Sequence, residues 1–531
     1  MLVVLSRALL GFRIGEMQAT ICSFKTHTPF VCFLLVYLIF ALLTYKDYGI
    51  TADEPRRREM GELMYKRVFL GLEVNSDKFA DHYPLYDMML VLLNPRGSYE
   101  FSHLLNMLFS SVLFIAAYVL LYARFSNSIV ATLGPLFIVL TPTVFGHIPA
   151  NPKDIPFAWG YLLSLALFYT LNKRAYPIIP KGLVLGLVVG FTYAMRLVGL
   201  NLFPIYCVLF FVFNTTKTTL MAKVRRLTVE LSVMGLVSLL VMFATWSYIA
   251  NDFPRNLMAI SQENLNFSAW DREILYFGQN LAKGARPLSF VPVWILIATP
   301  VFVLAGMLTG LVVNGYALVF INIKKRSVDQ LLLALSFVLV VNIGMYLVVN
   351  PVLYNGPRLF LYFFPILSLI AALFYGGVLL KLKRIKLLLI GSVLAVIMLP
   401  ELAHTIKLHP YEYVYFNPVV RSLVDVESYF ESDYWSASFN EAFTKGLVYA
   451  KSQNISYPKV FACNNADAIK YYAQRRARYV ESPQEAKIIL CDTERNRKRS
   501  YPYPIVDVVT RDGIELSVVK YNTQPVSAST N

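Results

Sequence analysis

The sequence predicts a polytopic α-helical membrane protein of about eleven transmembrane helices, followed by an extracytoplasmic α/β domain of roughly 130 residues. Three observations predict it. Of 531 residues 56% are hydrophobic and only 15% are charged, too few to coat a soluble chain of this length. Apolar runs of about 17–25 residues recur, each long enough to cross a hydrocarbon layer ~30 Å thick. The short connections between alternate runs are basic.

In chain order the runs fall at 29–45, 101–122, 128–145, 155–171, 181–195, 199–213, 229–250, 290–320, 329–349, 358–379 and 385–403. The fifth and sixth are parted only by the region of Arg196, and the eighth is long enough to cross at a tilt. Arg7, Arg13 and Lys25 precede the first run, and no small-residue cleavage site follows an early apolar stretch, so it reads as a retained helix.

A cytoplasmic N-terminus makes the inside loops 122–127 (Arg124), 172–181 (Lys173, Arg174, Lys181), 214–226 (Lys217, Lys223, Arg225, Arg226), 323–328 (Lys324, Lys325, Arg326) and 381–386. Each is short, basic and free of acids, as cytoplasmic loops of a plasma (inner) membrane protein are. An odd number of spans then places everything after Glu401 outside. From residue 403 onward 16 residues are basic and 14 acidic, so the net charge of +16 is mostly membrane topology. A nucleic-acid partner has no support in it.

The outside segments carry the chemistry. The first, 46–100, is too long for a connector. It holds Thr51-Ala-Asp-Glu-Pro55, then a basic stretch from Arg56 to Arg67 suited to a helix in the membrane interface, then Asp81-His-Tyr-Pro-Leu-Tyr86. The second runs from Thr141 to Pro156 and includes His147, Asn151, Lys153 and Asp154; later segments hold Arg196 and Arg358. Polar and ionisable groups thus gather at one end of several helices, where a site for a lipid-borne substrate would be built.

Each has a plainer reading. Thr51-x-x-Glu54 has the form of a capping box, which would put Pro55 at the fourth helical position, where its ring opposes the first intrahelical bond. Pro55 fits better at the first, making Glu54 the cap and leaving Asp53 free for chemistry. Asp154 either caps the fourth span or acts at the site. His82 and His147 are either satisfied interfacial histidines or functional ones. Arg196 and Arg358 either snorkel to headgroups or bind an anion. Lys153 is a cation on the side where the charge rule disfavours one. Asn266-Phe-Ser268 and Asn454-Ile-Ser456 match a short glycosylation pattern of low specificity.

Taken in order, Asp53-Glu54-Pro55, Asp81-His-Tyr-Pro, Gly146-His-Ile-Pro-Ala-Asn-Pro-Lys-Asp-Ile-Pro156, Arg196-Leu-Val-Gly199, Tyr354-Asn-Gly-Pro-Arg358 and His409-Pro-Tyr-Glu-Tyr-Val-Tyr-Phe-Asn417 resemble the bacterial family-39 glycosyltransferases. These are relatives of protein O-mannosyltransferases and of the lipid A aminoarabinose transferase, all of the GT-C fold. The resemblance runs from about Phe30 to Tyr449. It implies a monosaccharide donor on a polyprenyl phosphate, an acceptor outside the cytoplasm (surface glycan, lipid or protein hydroxyl), and Asp53 as general base with Glu54 orienting it. Lys153, Arg196 and Arg358 are the candidates to grip the donor phosphate, and His82, Tyr83, His147, Asn151 and Asp154 to contact substrate.

The chemistry asks for these residue types. A hydroxyl attacking an anomeric carbon needs a base, and the departing phosphate needs fixed cations, for which arginine offers a bidentate fork. No ligand spacing demands a divalent metal, although Asp53 and His82 are compatible with one. The competing class is a transporter or flippase for a lipid-linked sugar without chemistry, whose ionisable groups would sit at mid-membrane on broken helices.

The chain divides at residues 403/404. In the tail, helices are expected at 436–452 and 466–476, strands at 459–464 and 487–492, and a hairpin joins 505–510 to 514–521 through Arg511-Asp-Gly513. Cys463 and Cys491 fall near strand ends, as a disulfide or as buried thiols.

Overall fold

The computed structural model describes residues 17–75, 83–173, 176–214, 218–266, 273–282, 285–320, 329–493 and 500–524. Asp81, His82, the loop cations Arg174, Lys217, Lys324, Lys325 and Arg326, and Ser268 of the first glycosylation pattern lie outside the described residues. Helix α1 (Met17–Thr44) leads into a loop carrying α2 (Glu54–Leu70) and α3 (Leu85–Leu93). Then come α4 (Tyr99–Phe125), α5 (Ser128–Val139), α6 (Asp154–Lys173), α7 (Ile178–Met195), and a 3-10 turn (Leu197–Asn201) running into α8 (Leu202–Phe213). They are followed by α9 (Leu220–Thr245), α10 (Phe290–Ile297), α11 (Val301–Phe320), α12 (Gln330–Val349), α13 (Phe363–Leu379) and α14 (Arg384–Leu408).

Among the described residues seven of these (α1, α4, α6, α7, α9, α12 and α14) are long and apolar enough to cross a membrane. The 3-10/α8 unit, α5 and α13 are shorter apolar helices, and α10 with α11 forms a bent pair. They coincide one for one with the apolar runs of the sequence. The eighth run is not one tilted helix: α10 and α11 meet at 119°. Pro300, at the break, has no N–H to continue α10.

Local chemistry starts these helices. The side chains of Ser98, Asn127, Thr219 and Asp329 accept from Phe101, Val130, Ala222 and Leu331 backbone N–H groups, capping α4, α5, α9 and α12. Helices α7 and α9 approach closely along Gly182, Gly186 and Gly190, where an added Cβ would lie 2.7–2.9 Å from Val233, Val237 and Ser238. Such small-residue stripes let membrane helices gain backbone-to-backbone van der Waals contact. Lys181, assigned from the sequence to a basic loop, is instead buried: its ammonium donates to Glu230 at 2.7 Å and to Asn172 at 2.7 Å. Pairing with a carboxylate is what makes burial of both charges tolerable.

The tail carries α15 (Phe439–Ser452), α16 (Ala466–Ala473) and a five-stranded mixed sheet ordered β4-β3-β5-β7-β6. Here β3 is Lys459–Ala462, β4 Arg478–Tyr479, β5 Ile488–Asp492, β6 Ile505–Arg511 and β7 Ile514–Tyr521; a small hairpin, β1 (Ile274–Tyr276) and β2 (Gln279–Leu281), lies earlier in the chain. Strand β3 runs parallel to β4 and β5, while β5 and β6 flank β7 antiparallel. Cys463 and Cys491 are disulfide-bonded. The stretch from Pro410 to Ser438 ties sheet to helices: the Asn417 amide donates to the Leu296 carbonyl at 2.6 Å, at the end of α10.

Candidate active site

Residues 49–53 form the floor of the site and are held from several sides. The Ala52 N–H donates to the Trp435 carbonyl at 3.1 Å. The Ile50 N–H donates to the Tyr472 hydroxyl at 2.7 Å, and Asn465 donates back to the Ile50 carbonyl at 2.8 Å. Thr51 Oγ1 lies 3.2 Å from the Ala150 carbonyl. Three of these four partners belong to the C-terminal part of the chain. Gly49 permits the approach, since a Cβ there would stand 1.9 Å from the Ala437 carbonyl oxygen.

Helix α2 begins one residue away from the sequence expectation. Asp53, not Glu54, is the cap, yet its side chain makes no capping bond. Glu54 does what the capping-box pattern asks, its carboxylate accepting from the Thr51 N–H at 2.7 Å and from Thr51 Oγ1 at 3.0 Å. Pro55 causes no conflict because amides in the first turn have no intrahelical acceptor. Glu54 also bonds His103 Nε2 at 2.8 Å. The acidic pair is therefore split: Glu54 is 4% exposed and turned into the bundle, while Asp53 is 37% exposed.

Asp53 pairs with the Arg358 guanidinium. Arg358 is buried and donates through Nε to Asp154 Oδ2 at 3.0 Å. The other oxygen of Asp154 accepts from Arg196 Nε at 2.7 Å and from its terminal amine. Asp53, Arg358, Asp154 and Arg196 thus form one alternating chain of charges, drawn from the start of α2, the approach to α13, the start of α6 and the end of α7. Asn151 steadies its middle, donating to Asp154 Oδ2 at 3.0 Å and accepting the Asp154 N–H at 2.9 Å. The Trp435 ring lies 5.0 Å from the Arg358 guanidinium carbon, a cation–π contact.

Lys153 stands apart. Among the described residues its ammonium has no carboxylate or hydrogen-bond partner. Burial, reinforced by the guanidinium groups of Arg196 and Arg57, pushes its pKa down to about 7 against the pull of Asp154. Two arginines face two carboxylates in the chain of charges, and among the described residues Lys153 adds a positive charge with no ion-pair partner.

Two further residues expected to contact substrate are held by other partners. His147 is fully buried; its Nδ1 bonds the Thr143 carbonyl at 2.6 Å and its Nε2 the Tyr434 hydroxyl at 3.0 Å. Burial pushes its pKa down to about 4, so it joins the 141–150 loop to the C-terminal part as a neutral imidazole. Tyr83 packs on Trp246, with its hydroxyl on Thr245. Sequence reasoning missed Trp435 and His103, and also a buried fork in which Arg57 Nε and Nη2 meet Asp87 at 3.0 and 2.6 Å. A cavity of about 30 Å³ beside that pair, lined also by Glu54, Asn106 and Pro152, has room for one or two waters. A polar residue inside an apolar run was the signal available for His103 and Asp87; nothing local assigns Trp435 a role. Among the described residues no three His, Cys, Asp or Glu side chains group as metal ligands.

No protein-family model matches the chain, and no curated protein does. Solved structures do. The crystal structure of ArnT from Cupriavidus metallidurans bound to undecaprenyl phosphate is similar with a TM-score of 0.51 at 12% identity, over 92% of this chain and 97% of that one. The apo structure of the same protein gives 0.44 at 11% identity, over 92% and 98%. At such identity the likeness is one of fold, and it spans both the helical bundle and the C-terminal sheet. The chain is therefore an integral membrane protein with the GT-C fold of the lipid A aminoarabinose transferase ArnT.

Proposed function

We propose that this protein is a membrane glycosyltransferase that moves a monosaccharide from a polyprenyl-phosphate donor to an acceptor hydroxyl outside the cytoplasm, on a surface glycan, lipid or protein. The observation that carries the proposal is the alternating chain Asp53–Arg358–Asp154–Arg196 with Lys153, which has no ion-pair partner among the described residues, at one end of a GT-C bundle. It combines a partly exposed carboxylate with three cations, the set that glycosyl transfer from a phosphate requires. ArnT, whose fold it shares, was solved with undecaprenyl phosphate bound.

In this reading the acceptor oxygen attacks the anomeric carbon and Asp53 takes its proton. The bond from that carbon to the phosphate oxygen breaks, its electron pair leaves with the polyprenyl phosphate, and Lys153, Arg196 and Arg358 hold the growing charge. In the resting site Arg358 is paired with Asp53, so the carboxylate is engaged before an acceptor hydroxyl can reach it. A donor phosphate that draws Arg358 to itself loosens that pair, so the base is released when the donor is in place. Glu54, turned inward onto Thr51 and His103, acts by holding the loop that presents Asp53.

Purified protein in nanodiscs, given a panel of polyprenyl-phosphate monosaccharides, is expected to release free polyprenyl phosphate. Asp53→Asn keeps the size but cannot take the proton, and should lower that release by about 10²–10⁴-fold with expression unchanged. Wild-type turnover by Asp53→Asn would remove Asp53 from the mechanism. A wild-type protein that binds such a donor without cleaving it would leave the flippase reading ahead, and one that neither binds nor cleaves any would overturn the glycosyltransferase reading.

A further inference from the structure

Helix α12 brings no charged side chain to the site, yet its hydrogen bonds reach the segments that carry Asp154, Arg196 and Arg358. Its sequence is the most apolar of the candidate spans, with a mean hydropathy of 2.5, and in its middle stands Asn342. A polar amide in such a helix is costly unless it is fully bonded or has work to do.

Asn342 is fully bonded. Its amide nitrogen donates to the Tyr161 hydroxyl at 2.8 Å and to the Val338 carbonyl at 2.8 Å. Its oxygen accepts from the Asn201 amide and from the Tyr362 hydroxyl, both at 2.7 Å. The Val338 carbonyl can only accept, which fixes the nitrogen end of the amide. Tyr161 closes the cluster by donating to Asn201 Oδ1 at 3.1 Å. Asn342, Tyr161 and Tyr362 are all at most 2% exposed.

The partners are informative by position. Tyr161 lies two helical turns after Asp154 on α6. Asn201 ends the 3-10 turn that starts after Arg196, and Tyr362 follows Arg358 by four residues. One turn further along α12, the Tyr346 hydroxyl donates to the carbonyl of Leu359, the neighbour of Arg358. Asn342 thus joins the three segments that carry Asp154, Arg196 and Arg358, and nothing else.

We propose that Asn342 is a positioning residue: it sets the separation of Arg196 and Arg358 around Asp154, and through them the grip on the donor phosphate. The inference rests on the glycosyltransferase reading above. It acts through the arginines and touches no reacting atom. A bidentate guanidinium contact tolerates little displacement, and a misplacement of ~1 Å far from the reacting atoms can cost ~10²-fold in rate.

The test uses full-length protein in nanodiscs and two probes, undecaprenyl phosphate and undecaprenol, which differ only in the phosphate. Wild type should prefer the phosphate. Asn342→Leu, similar in shape but unable to bond, should lower undecaprenyl phosphate affinity at least about tenfold, the scale of a lost charge-assisted bond. Undecaprenol affinity should not change. On an Arg358→Ala background the same substitution should cost clearly less phosphate affinity than in wild type, because part of its effect passes through that arginine and only the Arg196 part remains. A merely structural role would weaken both probes and would add in full. Wild-type phosphate preference in Asn342→Leu, or full additivity with Arg358→Ala, overturns the proposal and leaves the glycosyltransferase reading intact. A wild-type protein with no preference for the phosphate overturns that reading, and this inference with it. Should Asn342→Leu fail to fold, Tyr362→Phe removes one hydroxyl from the same cluster and goes through the same cycle, with the same outcomes deciding.

Discussion

At the scale of single residues, the described charges at the site are paired with one another except at Lys153. That ammonium has a pKa near 7, so it carries its charge at pH 6 and loses it as the pH rises. Donor phosphate binds the charged form. Affinity for undecaprenyl phosphate should therefore fall between pH 6 and 9, by up to about tenfold per unit above 7. Lys153→Arg, charged throughout that range, should flatten the profile; a wild-type profile already flat would show that Lys153 does not meet the phosphate. Asp154 has the opposite duty. Asp154→Asn would leave Arg196 and Arg358 without their shared carboxylate, and removing one partner of a buried ion pair costs about 3–5 kcal/mol. A marked drop in Tm is expected, and an unchanged Tm would mean that solvent already screens the cluster. Arg358→Lys should restore only part of the phosphate affinity lost in Arg358→Ala, since an ammonium cannot bridge Asp53 and Asp154 as a planar fork does.

At the scale of elements, the 49–53 loop depends on contacts with no room to spare. At Gly146 a Cβ would come within 2.1 Å of the Tyr413 backbone nitrogen, and at Gly49 within 1.9 Å of the Ala437 carbonyl oxygen. Both obstacles are backbone atoms, which cannot swing aside. Gly49→Ala and Gly146→Ala should each cost about 1–3 kcal/mol and most of the donor cleavage. The fitting control is Gly235→Ala on α9, where an added Cβ meets nothing within 4 Å. If all three variants cleave donor like wild type, the docking of the C-terminal part on this loop is not what shapes the site. The same contacts explain why Glu54 faces inward. Thr51 is fixed by Ala150 from one side and by the Glu54 carboxylate from the other, so of the acidic pair at the start of α2 it is Asp53 that faces outward.

For the whole molecule, the proposed orientation puts the N-terminus in the cytoplasm and the sheet domain outside. Two independent readouts bear on it. A reporter fused after Asn531 should be active only outside the cytoplasm. The Cys463–Cys491 disulfide is of a kind that persists in oxidising compartments, so two further cysteines should become alkylated only after reduction of the denatured protein. A cytoplasm-active reporter together with the same alkylation before and after reduction would invert the topology, and with it the side of the membrane on which the acceptor is found.

The eleven apolar runs, the sheet-forming segments of the tail and the candidates Asp53, Lys153, Asp154, Arg196 and Arg358 were legible in the sequence. Hydropathy, β-propensity and the position of charge at helix ends are local properties, each set within about twenty residues. What the sequence left open was which of these groups meet. Asp53 and Arg358 are separated by most of the bundle in the chain, and their pairing follows from how α2, α6, α7 and α13 pack. The break at Pro300 was readable as a proline, but whether it would bend one span or end it depended on what packs around it. Lys181 looked like a loop cation because its partner, Glu230, lies two helices away. Asp433-Tyr-Trp435 resembles a segment that recurs in the family, but nothing in it assigns Trp435 a role; its ring covers Arg358 and its carbonyl holds Ala52 only because the C-terminal stretch folds back onto the first loop. Local physics thus determined the parts and the chemistry they can do, while close packing across long sequence separations decided which acid faces solvent and which arginines share a carboxylate.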